Sequence, residues 1–120
     1  LNRYGEVAVF LSKKAMGPDI KLAFAQAHPF LDVTGDIIMA WMLLWRSACA
    51  YPRLQALMAE GSNGDHFITA NRDGAFLDGQ LKTAAYFITT TLPTTIGKIK
   101  SIMQSDSTAV LDAAEKTFGG

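Results

Sequence analysis

The residues from Ile37 to Trp45 read IIMAWMLLW, nine apolar side chains without a break, and Arg46 ends the run. A membrane span needs about 20 such residues. The run is too short to cross a bilayer, and too uniformly apolar for one side of it to be assigned to water. A helix that is apolar all round is expected to be enclosed by its neighbours. This segment is therefore predicted to be the central helix of a small core. Ile37, Trp41, Leu44, Trp45, Ala48 and Cys49 form one stripe, with Met39 and Leu43 on the opposite side.

The flanking segments carry the same helical period. Val7, Phe10, Leu11 and Ala15 share one face of a first helix, which Met16-Gly17-Pro18 ends. Ile20, Ala23, Phe24, Ala27 and Leu31 follow at spacings of three and four, and Pro29 is expected to kink or break that stretch. Asp32 or Thr34 then serves as a cap for the central helix, with Asp36 in its first turn. Tyr51-Pro52 is expected to kink it, and Gly61 to stop it. The polar stretches Gly61 to Asp65 and Asn71 to Gly74 read as turns of one long loop.

Leu77, Leu81, Ala84, Ala85, Ile88, Leu92, Ile96, Ile99 and Met103 lie on one continuous stripe, so the β-prone run Phe87 to Thr91 is assigned to helix and Pro93 to a bend within it. A last short helix, Thr108 to Thr117, is expected to turn Val110, Leu111, Ala114 and Phe118 inward. The predicted class is all-α: an up-and-down bundle of four or five helices, the long ones kinked, in a single domain over residues 1–120.

Composition excludes several functions. Eleven basic and eleven acidic residues cancel, so no overall field favours nucleic acid or an anionic membrane. Cys49 has no partner for a disulfide, which points to a reducing, cytoplasmic setting. The chain opens on Leu1 with no signal-peptide pattern, and is expected to be a fragment of a larger protein.

The residue types that carry catalysis are scattered. His28, His66 and Cys49 lack the close pairing a zinc site needs, so no metal is expected. His28 reads as a helix-boundary residue and His66 as a solvated loop residue. Asp32 and Asp36 are four apart, a spacing that could serve acid–base work, but their place at a helix start accounts for them. Glu6, Glu60 and Glu115 read as exposed helix positions. No nucleophile elbow or phosphate loop occurs, and GSNGD lacks the lysine and strand of one. No catalytic, cofactor-binding or metal residue is assigned. Trp41, Trp45, Arg46 and Tyr86 are the candidate interface residues, the aromatics as anchors if the central helix is not fully covered, and Arg46 as a rim contact.

Two stretches, His28 to Ala48 (HPFLDVTGDIIMAWMLLWRSA) and Gly79 to Pro93 (GQLKTAAYFITTTLP), resemble the extra C-terminal helical domain of one branch of acyl-CoA dehydrogenases, including the methylmercaptopropionyl-CoA type. Phe30-Leu31, Gly35, Trp41, Lys82-Thr83-Ala84, Tyr86 and Leu92-Pro93 stand at the matching positions, and the similarity runs from about Leu1 to Phe118. Tyr51-Pro52 departs from the alanine-rich pattern, and Ser62 to Gly74 is not distinctive. The resemblance implies an accessory domain that packs on the catalytic domains of its parent chain, in a homo-oligomer, and shapes the oligomer or the acyl-CoA entrance. It places FAD and the catalytic glutamate in those other domains, where an acyl-CoA is oxidised at its α,β bond. The competing expectation is a free-standing helical interaction module docking through Trp41 and Trp45.

Overall fold

The computed structural model describes residues 1–61, 68, 70–104, 106 and 111–119, and among these the regular structure is entirely helical. Helix α1 spans Asn2–Ala15 and α2 spans Ile20–Ala25. Helix α3 spans Ala27–Glu60, and α4 spans Arg72–Tyr86. A π-helical turn, Phe87–Thr91, joins α4 to α5, Leu92–Gln104, and a 3₁₀ turn follows at Glu115–Phe118. The chain forms two compact units: Leu1–Gly35 with Thr95–Gly120, and Asp36–Thr94.

Several boundaries follow from local chemistry. Met16 and Gly17 close α1 as expected, their N–H groups returning to the Ser12 and Lys14 carbonyls. Pro18 lies in the following turn, and Asp19 stands at the start of α2 with its carboxylate paired to Lys14 at 2.5 Å and not bonded to the helix N–H groups. The break before α3 falls at Gln26, three residues ahead of Pro29. Pro29 occupies the first turn of α3, where its missing N–H leaves no bond unmade. Asp32 and Thr34 are thus interior to the helix and not caps. The Thr34 hydroxyl donates to the Phe30 carbonyl at 2.8 Å. Helix α3 runs on through Pro52, and Gly61 follows its end.

The Asn71 to Gly74 cluster starts a helix instead of making a turn. The Asn71 carboxamide oxygen accepts from the N–H groups of Asp73 and Gly74, each at 3.0 Å. This N-cap satisfies two of the donors that a helix start leaves open.

The helical path through Pro93 is unbroken. The proline has no N–H for the Thr89 carbonyl, and the wider π register lies immediately upstream. Thr89 and Thr94 each turn a hydroxyl onto a backbone carbonyl, Ala85 and Thr91 respectively, both at 2.7 Å. A stripe counted at 3.6 residues per turn loses phase across such a turn. In α5 the buried residues are Thr95, Ile99 and Ile102, while Ile96 and Met103, which the stripe placed inside, are exposed. Of the expected last helix, Thr108 to Thr117, Leu111 is helical, residues 108–110 lie outside the described residues, and a 3₁₀ turn spans Glu115–Phe118; Phe118, expected inward, is exposed.

The first unit buries Val7 and Leu11 of α1, Val33 of α3, and Thr95, Ile99 and Ile102 of α5. Tyr4 stacks on Phe30 with ring centroids 5.5 Å apart and planes at 4°, and its hydroxyl is 3.2 Å from that of Thr34. Lys98 reaches Asp32 at 2.8 Å. Ile20, Phe24 and Leu31, read as one inward stripe, are all exposed.

The second unit has a different core. Helix α3 buries Ala40, Leu43, Ala50 and Leu54, and α4 buries Gly74 and Ala84. Small residues dominate this seam, so it removes little apolar area from water. The large side chains lie elsewhere. The central helix is therefore not enclosed within its unit, contrary to the expectation from its composition: the face bearing Leu43 is covered, and the stripe bearing Trp41, Leu44 and Trp45 is open.

Candidate functional site

Trp41 and Trp45 lie one turn apart on α3, which brings their side chains onto the same patch of helix surface. Their rings stack with centroids 6.1 Å apart and planes at 24°. Trp41 is 62% exposed and Trp45 is 58% exposed, so the pair forms a ridge standing in water. Ile38, Met39, Met42 and Leu44 are exposed on the same helix. Neighbouring exposed apolar side chains of this kind are what a candidate interface presents.

Beside the ridge, α3 and α4 enclose an open groove of about 360 Å³. Met42, Trp45, Cys49 and Ala50 from α3, with Phe76 and Leu77 from α4, supply its apolar lining. Arg46, Arg53 and Gln80 supply its polar groups. Arg46 donates from Nη2 to the Gln80 carboxamide oxygen, which ties the guanidinium across the groove. Among the described residues no carboxylate lines it.

Three of the four residues singled out from the sequence thus lie together: Trp41, Trp45 and Arg46. Tyr86, at the last position of α4, is 67% exposed but does not line the groove. Arg46, expected as a rim contact, lines the groove and donates to Gln80. Arg53, Phe76 and Gln80 were missed by the sequence reading. The signal for Arg53 was present, since Met42, Arg46, Cys49 and Arg53 recur at spacings of four, three and four.

The titratable residues singled out from the sequence lie apart from this groove where they are described. His28 is exposed in the first turn of α3, and His66 lies outside the described residues. Asp32 is exposed, and the hydrogen bond from Lys98, followed by the charge of Lys98, holds its carboxyl below the usual carboxylate range. Among the described residues no group of His, Cys, Asp and Glu could hold a metal ion, and no helix is long and apolar enough to cross a membrane.

Residues 1–112 match the family described as acetyl-CoA dehydrogenase C-terminal like. Comparisons with curated proteins and with solved structures each returned no match.

Proposed function

The chain belongs to the acetyl-CoA dehydrogenase C-terminal-like family, and from that premise we propose that it is the accessory domain of an FAD-dependent acyl-CoA dehydrogenase of the methylmercaptopropionyl-CoA branch, docked on the catalytic domains through the Trp41–Trp45 ridge. The observation that carries the reading is the exposure of that stacked pair, at 62% and 58%. Two tryptophans in water forgo apolar burial that a partner surface recovers. In this reading the docked domain borders the acyl-CoA entrance and contributes to a homo-oligomer in the cytoplasm.

The chemistry belongs to the parent. FAD there accepts the electrons removed from the α,β bond of the acyl-CoA. No residue of this chain is assigned to FAD in this reading. This chain's part is to cover, orient and exclude water.

The test uses the full-length polypeptide, its catalytic region alone, and this chain added in trans, followed by size-exclusion chromatography with light scattering. The chain is expected to bind the catalytic region, and a Trp41→Ser/Trp45→Ser variant to elute separately. A chain that never binds that region, but recruits an unrelated protein through the same ridge, would establish the free-standing interaction module instead.

A further inference from the structure

Arg46 and Arg53 are seven positions apart on α3, about 10 Å along the helix axis, so both stand over the same groove. Neither has a carboxylate partner among the described residues, whereas Lys14, Lys82 and Lys98 each pair with an aspartate. The contrast with the grooves of the other unit is informative. One sets Glu6 alongside Arg3 and Lys100, and another sets Glu6 alongside Lys13. Those surfaces carry their own compensating charge. Among the described residues, the α3–α4 groove carries two cations and no anion above an apolar floor.

We propose that this groove seats an amphipathic helix of the catalytic region of the same polypeptide, one that carries two carboxylates seven residues apart at the edge of its apolar face. The proposal rests on the docked-domain reading above and names its partner element. The groove-lining residues of α3, Met42, Arg46, Cys49 and Arg53, have the three-and-four spacing by which one helix face meets another. A seven-residue repeat on the incoming helix gives the same spacing in either chain direction, so both carboxylates meet a guanidinium. Gln80 occupies one donor of Arg46 and leaves the other guanidinium N–H groups for a bidentate carboxylate. The apolar floor of Met42, Phe76 and Leu77 takes the aliphatic side chains between the two ion pairs.

Carbodiimide coupling tests this in the full-length protein. It joins an amine to a carboxylate held against it, but does not join an arginine. The Arg46→Lys/Arg53→Lys variant places an amine at each cation position, and peptide mass spectrometry then identifies what each amine has reached. The Lys82–Asp78 pair, at 2.6 Å, is the internal positive control. Crosslinks from positions 46 and 53 to two carboxylates seven residues apart on one catalytic-region segment are the expected result. They should disappear in Arg46→Glu/Arg53→Glu. Formation of the Lys82 crosslink without any from 46 or 53 would overturn the proposal. So would saturation of the groove by free octanoate in the assembled protein, read by chemical shift, since that requires an unoccupied groove. The failures are separable: binding in trans that persists without these crosslinks leaves the docked domain standing and removes only the acidic helix.

Discussion

Replacing Trp45 with alanine separates a core role from a docking role, because the structure assigns different magnitudes to the two. Trp45 is 58% exposed, so about two-fifths of it is covered by its own chain. A tryptophan buries up to about 250 Å². The covered share is then about 100 Å², and at about 25 cal/mol/Å² its loss costs the folded chain at most about 2.5 kcal/mol, the contribution of the Trp41 stack included. The open share, about 150 Å², contributes up to about 3.5 kcal/mol when a partner covers it. The Trp45→Ala change should therefore weaken docking more than it weakens the fold. Urea unfolding of the chain gives the first quantity, and titration calorimetry against the catalytic region gives the second. A stability loss of about 3–5 kcal/mol, the range for a fully buried aromatic, with docking unchanged, would refute the assignment.

Ile102 is 1% exposed in the core of the first unit, and Ile102→Ala should lower unfolding stability by about 2–5 kcal/mol; a change below about 1 kcal/mol would show that this core does not hold the unit together. Asn71→Ala removes both N-cap bonds of α4 and should cost about 1 kcal/mol, with Asn71→Asp close to wild type; urea midpoints of the two variants provide the check. The Asp32 carboxyl is held low in the folded chain, first by the Lys98 hydrogen bond and then by the Lys98 charge. Because the folded value is the lower one, the pair's contribution to stability is present above the ordinary carboxylate range and is lost as the pH falls through the lowered value. In Lys98→Met the Asp32 titration, followed by carboxyl carbon NMR, should move back up; an unchanged titration would show that Lys98 is not the cause.

The class of the fold and several helix limits were legible along the chain because they depend on near neighbours. Met16 and Gly17 close α1 through hydrogen bonds to near-neighbour carbonyls that need no tertiary partner, and the stripe on either side of Pro93 outweighed the β-prone Phe87 to Thr91 run. The family was legible as well, from packing residues spread over most of the chain. Misreadings arose where one local signal has two meanings. Asn71-Arg72-Asp73-Gly74 has the composition of a turn and the geometry of a capped helix start, and Asp32 is a plausible cap until α3 is seen to begin at Ala27.

What tertiary structure alone decided was the side of α3 left in water. Periodicity locates a buried face by contrast with a polar one, and Ile37 to Trp45 offers no contrast. The choice follows from which residues allow two helices to approach. Ala40, Leu43, Ala50 and Leu54 on α3, with Gly74 and Ala84 on α4, are buried, and four of these six are small, whereas Trp41 and Trp45 stay exposed. The groove was illegible for a related reason. Arg46 meets Gln80 across 34 positions of sequence, a separation that no helical period spans. Sequence placed Trp41, Trp45 and Arg46 on one helix as interface candidates; the packing of α4 beside α3 made two of them, Trp45 and Arg46, walls of a groove and added Arg53, which repeats the α3 spacing seven residues on.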